Sequence, residues 1–549
     1  MKTVMHTCKK NSFVKLVTTA CLLMITVTGL AQSTDRPNIL WISCEDLSPH
    51  FSFYGDNTIA TPNLARLAQE GVVYDNAFTS AGVCAPSRCS IITGMNQVSV
   101  GGHNMRTLYN TFPDQTGLPR AYSIVPPPEV KAFPEYLRAR GYYCTNNSKT
   151  DYQFEAPPTV WDETSTKAHW RNRKPGQPFF AIMNYTITHE SQVWQRKDKP
   201  LKADPDKIKV PPYYPDTKTV RKDMARFYSN VVDLDSIVGD LLQQLEEDGL
   251  MENTIIFFWG DHGDGLPFAK RELYDRGLQI PLVIRFPGKS RAGERDDRLI
   301  SAIDFAPTVL SLAGIKAPKN MQGLAFLGKY QSQKPNQYIY GARDRMDSEY
   351  DRVRAVRDKK YKYIRNFHPE LPRYQEIEFR KQMDMMQEIL DLKEKGQLNS
   401  TQMIWFEKTK PVEELYDLEK DPYELHNIAS DPAYQDPLNR LRKEMDNWLK
   451  RVNDMGDIPE KELIKKMWNG GDAPPETAPV IITTRRNRVK ISCATPGASI
   501  GYKICEAGKP EPETWQVYTK PFKITSGQQV KAVAQRIGYV KTDEIVKTL

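Results

Sequence analysis

The chain has 549 residues, 40% of them hydrophobic and 26% charged, with 8 cysteines. That composition excludes a disordered, collagenous or disulfide-dense chain and leaves room for two or three domains with large cores. A formal charge of +8 is a mild excess, compatible with an anionic substrate and predicting no nucleic-acid partner.

Lys2, Lys9, Lys10 and Lys15 precede an apolar run from Leu16 to Leu30, and Gly29-Leu30-Ala31 stands before Gln32. Basic region, apolar segment and small-residue cleavage site predict a secretory signal over residues 1–31, and so a periplasmic or extracellular protein. The run is too short to cross a bilayer comfortably, and no other long apolar stretch follows, so no membrane span is expected. Loss of 1–31 removes four lysines and no acid, lowering the charge to +4, and takes Cys8 and Cys21 with it. Of the remaining cysteines, Cys44 and Cys144 read as core residues, and Cys493 and Cys505 as a pair able to bridge strands.

Asn38 to Ser43 is a short apolar run of the kind found in a fully buried parallel strand. It ends in Cys44-Glu45-Asp46, and two acids just past a buried strand are costly unless solvated, paired or bound to a cation. Thr61 to Gly71 reads as a capped amphipathic helix ending at glycine, and Val72-Val73-Tyr74 as the next strand, a βαβ unit. In the stretch Cys84 to Gly94, Pro86 suits the first helical position and Gly94 a stop. Cys84 then lies at the positive end of a helix with Arg88 one turn on, a setting that favours an anion and a reactive thiolate. A small core residue, or half of a disulfide, are the competing readings of Cys84. Cys89 is the obvious partner by position, but a helix points the two side chains apart.

Further elements repeat the alternation. Phe133 to Arg140 reads as helix, and Gly141 to Asn146 as a strand followed by Lys149. Pro178 to Tyr185 is a strand leading to Thr188-His189-Glu190. Met224 to Asp248 is a long amphipathic helix. Thr254 to Trp259 is a second fully buried strand, running into Gly260-Asp261-His262-Gly263-Asp264-Gly265. Phe268 to Gly277 carries Lys270, and Pro281 to Phe286 is one more strand. The prediction is an α/β fold: a doubly wound, mostly parallel sheet with helices on both faces and a site beyond its carboxyl ends. Glu45, Asp46, Asp261 and His262 would there converge on one hard cation, Ca²⁺ or Mg²⁺. Tyr338 to Arg365 reads as strands turning at Asp358-Lys359-Lys360, in a smaller antiparallel subdomain. Gly470 to Pro475 reads as linker. From Ala478 short alternating runs predict an appended small β-sandwich.

Cys84-Ala85-Pro86-Ser87-Arg88 matches the C-x-P-S-R signature of type I sulfatases, and Ser90 to Gly94 resembles its continuation. Asp304 to Leu310 and Glu413 to Glu424 resemble later segments of that family. The resemblance covers roughly residues 36–455. It implies a catalytic domain over 32–330 and the smaller subdomain over 331–455, before a linker over 456–477 and the β-sandwich over 478–549. It implies that a formylglycine-generating maturation enzyme oxidises Cys84 to formylglycine, whose hydrate is the nucleophile. It further implies one calcium ion held by Glu45, Asp46, residue 84, Asp261 and His262, with Glu45 where the family more often has Asp. Arg88 would help hold the nucleophile, Lys149 and Lys270 the sulfate, and His189 would protonate the leaving oxygen. The family's Gly-Lys-x-His is replaced by Ser148-Lys149-Thr150-Asp151, so its histidine is missing. Asp151, or His103 in Gly101 to Arg106, are the two candidates for that proton acceptor. Arg343, Arg345 and Asp347 read as a charged loop, either solvated or lining a sugar pocket.

The implied activity is hydrolysis of sulfate esters, or of sulfamate, on a carbohydrate from glycosaminoglycan or algal polysaccharide. The Glu45-Asp46 start looks most like heparan N-sulfatase-type proteins. Competing readings are a phosphodiesterase or phosphonate hydrolase of the same alkaline phosphatase superfamily, and a secreted glycan-binding protein with an inactive site. For the β-sandwich, packing or spacing is expected over glycan binding, because no exposed aromatic pair stands out.

Overall fold

The computed structural model describes residues 36–548, so the predicted signal lies outside the described residues. Strand β1 (Asn38–Cys44) is buried at every position, as a strand covered on both faces must be. Helix α1 (Pro62–Gln69), β2 (Val72–Phe78) and α2 (Cys84–Thr93) follow. Next come β3 (Tyr143–Asn147), β4 (Glu163–Thr164), β5 (Phe179–Tyr185), α3 (Lys218–Glu247) and β6 (Thr254–Gly260). Strands β7 (Leu282–Arg285) and β8 (Glu294–Ser301) and helix α4 (Phe305–Leu312) complete the layer. The eight strands lie in the order β4-β3-β5-β1-β6-β7-β2-β8.

β1 is parallel to both neighbours, with Trp41 beside Ile182 of β5 and Phe257 of β6. Successive side chains of a strand face opposite ways. Leu40 and Ile42 therefore join one core with Met224, Phe227, Leu234 and Leu241 of α3. Ile39 and Trp41 join the other with Ile91, Ile92, Phe133, Phe305 and Val309. The sheet is mostly parallel, as expected, and the exception is β7, which is antiparallel to β6 and β2. Residues 261–281 between β6 and β7 form the site loop and only one four-residue helix. They supply none of the packed helix that usually carries a chain back for a parallel return.

Some local expectations also need correction. Thr61 makes no side-chain cap to α1. Asp235 of α3 supplies it across space, accepting from the Leu64 N–H at 2.8 Å and the Asn63 N–H at 3.3 Å. α3 starts at Lys218, earlier than periodicity suggests, because Thr217 caps the Val220 N–H at 3.2 Å. α2 starts at Cys84 itself, which puts Pro86 third in the helix. That is still inside the first turn, where a missing N–H costs nothing.

Strands β9 (Ile339–Arg343), β10 (Val353–Arg357), β11 (Tyr361–Asn366) and β12 (Glu413–Asp417) form the four-stranded antiparallel sheet. It is backed by α5 (Gln435–Val452), whose Leu441, Met445 and Trp448 are buried. The stretch expected as linker contains a helix, α6 (Glu460–Met467), whose Leu463, Ile464 and Met467 enter the main core. The C-terminal residues form two sheets. One holds β13 (Val480–Arg485), β14 (Arg488–Cys493) and β17 (Phe522–Lys523). The other holds β15 (Ser499–Glu506), β16 (Gln516–Val517), β18 (Gln528–Gln535) and β19 (Ile545–Thr548). Val489, Ile491, Val530 and Ala532 are buried between them. Cys493 and Cys505 sit on different sheets and are free thiols, so the expected bridge is not formed.

Among the described residues, no helix is long and apolar enough to cross a membrane.

Candidate active site

The carboxyl ends of β1, β3, β5 and β6 and the first turn of α2 meet at one place. Glu45 and Asp46 leave β1, Lys149 and Asp151 follow β3, His189 and Glu190 follow β5, and Asp261 and His262 follow β6. Cys84 opens α2, all ten residues of which are buried. Its Sγ lies 3.3 Å from His262 Nε2 and 3.8 Å from Asp46 Oδ1. His262 Nε2 is in turn 3.0 Å from Asp46 Oδ1 and 3.7 Å from Asp261 Oδ1. Its Nδ1 faces the Gly263 carbonyl at 2.9 Å, which aims Nε2 at the cluster.

Cationic groups surround these acids. Arg88 Nε donates to Asp261 Oδ2 at 3.0 Å and Nη1 to Asn184 Oδ1 at 2.8 Å, while Nη2 is 3.7 Å from Glu45 Oε1. Lys270 Nζ donates to both oxygens of Asp46, at 2.9 and 2.7 Å, and lies 3.0 Å from Glu190. Lys149 pairs with Glu45 and, at 3.2 Å, with Asp151. Backbone N–H groups finish the cradle, Asp46 N donating to Asp261 Oδ1 and Glu190 N to Asp46 Oδ2. Close approach explains the glycines here. A Cβ on Gly265 would come within 2.6 Å of Asp46 Oδ2.

These fields set the protonation states. Burial works against the Cys84 thiolate, but Lys270 and Lys149 outweigh it and hold the thiol below its ordinary value. Burial instead pushes the thiols of Cys44, Cys89 and Cys144 up. Burial also opposes charge on Asp46, yet Lys270, His189 and His262 hold its carboxyl well below the usual range. His262 is lifted well above its ordinary value, Asp261 and Asp46 overcoming burial. His189 is raised too, against burial and Lys270, by Asp46. The Ser191 N–H reaches His189 Nδ1 at 3.2 Å, so a neutral ring carries its proton on Nε2.

Asp46, Cys84 and His262, and likewise Glu45, Cys84 and Asp261, offer ligand atoms within 4.8 Å of one another. Three buried carboxylates and one imidazole make an oxygen-rich set that fits a hard divalent cation. Of the sequence-predicted residues, Glu45, Asp46, Cys84, Arg88, Lys149, Asp151, His189, Asp261, His262 and Lys270 meet here. No hydrogen bond or ion pair among the described residues joins His103 to the cluster; it is buried, and its field acts on Asp344, whose carboxyl burial raises. Arg343 and Arg345 are neither solvated nor part of the cluster. Arg343, the last residue of β9, is buried against Glu272 and Gln375, and Arg345, two residues beyond it, against Glu460.

Sequence reasoning missed the part played by Glu190. It accepts bidentately from Arg271, at 3.0 and 2.7 Å, while pairing with Lys270. An acid directly after His189, past a buried strand, was the available signal.

A doubly wound, mostly parallel sheet with a buried cysteine at a helix N-terminus and acids from two strand ends has the alkaline phosphatase-like fold. The family model Sulfatase matches residues 37–315, and N-sulphoglucosamine sulphohydrolase, C-terminal, matches 260–401. A relative named ulvan-active sulfatase, from Formosa agariphila, is 47% identical over 92% of this chain and 90% of its own length. Human N-sulphoglucosamine sulphohydrolase is 24% identical over 79% of this chain and 94% of its own. A solved structure in complex with its substrate D-glucosamine-2-N,6-O-disulfate superposes with a TM-score of 0.53 at 19% identity, covering 78% of this chain and 100% of that one. The chain belongs to the sulfatase family and is a hydrolase of sulfate esters.

Proposed function

We propose that the protein removes sulfate from the sulfate esters of an ulvan-type polysaccharide outside the cytoplasm. Cys84 is the precursor of a formylglycine, installed by a maturation enzyme, and Glu45, Asp46, Asp261 and His262 hold a calcium ion. The observation that carries this reading is the position of Cys84, at a helix N-terminus within contact of both His262 and Asp46. The name of the relative at 47% identity over 92% of the chain supports the substrate class.

The chemistry follows from the charges. The bound cation supplies positive charge that makes a hydroxyl at position 84 more acidic. Arg88, fixed by Asp261 and Asn184, adds a permanent positive charge beneath it. Lys149 and Lys270 act on residue 84 through their charge, and there they hold a sulfate group and stabilise charge that grows on its oxygens. His189, with its proton on Nε2, donates to the leaving sugar oxygen. Asp151, held near the cluster by Lys149, takes the proton whose removal expels sulfate and restores residue 84.

The test is twofold. Mass spectrometry of the peptide bearing residue 84 will show an aldehyde in place of the thiol. Cys84→Ala will lose at least about 10⁴-fold in kcat on a desulfatable ulvan oligosaccharide, as removal of a nucleophile does, with an unchanged melting curve. An unmodified thiol with full activity overturns the proposal.

A further inference from the structure

The C-terminal β-domain is docked on the α/β domain by specific bonds. Lys131 Nζ donates to Ser499 Oγ at 2.6 Å and to the Gly497 carbonyl at 3.3 Å. Ser499 Oγ donates to Glu135, Arg138 to the Trp515 carbonyl, and Arg536 to the Pro126 carbonyl at 3.1 Å. Gly538 presses on the backbone of Ile124, so no side chain fits there. These contacts fix two walls of a cleft of about 660 Å³. Leu108, Tyr122 and Glu155 line one wall, and Gln535, Tyr539 and Lys541 the other.

The lining offers tyrosine rings, one cation in Lys541 and one acid in Glu155. Tyr539 is anchored by Arg536, which lies 4.7 Å over its ring and donates to its hydroxyl at 3.1 Å. Ring faces held rigid bury sugar C–H surface at little entropic cost. Lys541 is exposed on the cleft wall. Glu155 and Gln535 bring acceptors and an amide to the same cleft, the usual few polar groups that fix a ligand's orientation.

The cleft is also close to the sulfatase site. Asp151 stands at the outer edge of the Cys84 cluster, 27% exposed, and Glu155 stands on the cleft wall. Four residues of chain span at most about 14 Å, within the length of a short oligosaccharide. Gln153 between them is buried and tied to Thr107, which fixes this floor.

We propose that this inter-domain cleft binds a neighbouring unit of the anionic polysaccharide whose sulfate is presented to residue 84. Tyr539 stacks on a sugar ring and Lys541 pairs with a sulfate or uronate carboxylate. The assignment rests on the reading of a sulfated polysaccharide as substrate, and it makes the C-terminal domain part of the binding surface rather than a spacer. A second point of attachment on the same chain raises affinity for polymer over small substrates.

The experiment uses the full-length protein with ulvan and 4-nitrophenyl sulfate. In a Cys84→Ala background, Tyr539→Ala and Lys541→Glu will each weaken ulvan binding about tenfold, about 1.4 kcal/mol, by affinity electrophoresis or calorimetry. With residue 84 intact, the same changes will raise KM for ulvan and leave kcat and 4-nitrophenyl sulfate hydrolysis unchanged. Lys541 is exposed, so Lys541→Glu reports on charge without disturbing the fold. Ulvan binding that is absent in the Cys84→Ala protein, or unaltered in both variants, overturns the cleft assignment. Ulvan turnover by unaltered protein with both variants unimpaired sinks the cleft alone, whereas no turnover of any sulfated polysaccharide sinks the functional reading.

Discussion

Cys84 shares the burial of Cys44, Cys89 and Cys144, yet its thiol alone of these four is held below its ordinary value. The difference is two lysines from distant segments, Lys149 and Lys270. The sequence pointed to a special cysteine through its motif, but the cause of the lowered value is tertiary. For the missing family histidine the two candidates differ in their surroundings. Asp151 shares Lys149 with the cluster, whereas the acid that His103 acts on is Asp344. Asp151→Asn is therefore expected to lower kcat by about 10²–10⁴-fold, the range for a proton-transfer group. His103→Gln is expected to leave kcat within about threefold, since it removes no group at the reacting atoms. Steady-state kinetics on one sulfated oligosaccharide decides between them. Equal losses in both variants would contradict the assignment.

Among the elements, the loops after β1 and β6 matter most. Each was legible as a buried strand running into acids, because both faces of such a strand are apolar and an acid at its end stands out. What the two loops do to each other was not legible. Ser48 N and Asp264 Oδ1 join them at 3.0 Å, and His50 Nε2 lies 2.7 Å from Asp264 Oδ2. Burial opposes a charge on His50, but Asp264 and Asp56 lift it to about 10. An imidazolium raised above its unfolded value of about 6.5 stabilises the fold fully below that pH. The contribution fades as pH rises through about 10. His50→Gln should therefore cost about 1.5–3 kcal/mol below pH about 6.5, the worth of a charge-assisted hydrogen bond. The gap between variant and parent should close toward pH 10 in thermal or denaturant melts. A gap that widens with pH would contradict this.

At the scale of the whole molecule, one sheet brings Glu45, Asp46, Asp261 and His262 together from two places about 215 residues apart in the chain. A cation bound only by the folded form stabilises it by mass action, about 2.7 kcal/mol at a hundred times its Kd. Calcium added to chelator-treated protein should raise Tm, and Asp261→Asn should abolish the rise; an equal rise in the variant would place the ion elsewhere. The fold class, the βαβ order, the two buried strands and the acids at their ends were set by local pattern, since periodicity and turn chemistry act over a few residues. The helix docked in the expected linker, the antiparallel β7, the cap lent to α1 by Asp235 and the unbridged Cys493 and Cys505 were not. Each depends on which surfaces meet across the chain, and only packing in three dimensions decides that. The sequence by itself pointed to one cysteine at a helix start and to acids just past two buried strands. The tertiary structure decided which lysines and acids stand around that cysteine, because charge and burial act through space and leave no trace in residue order.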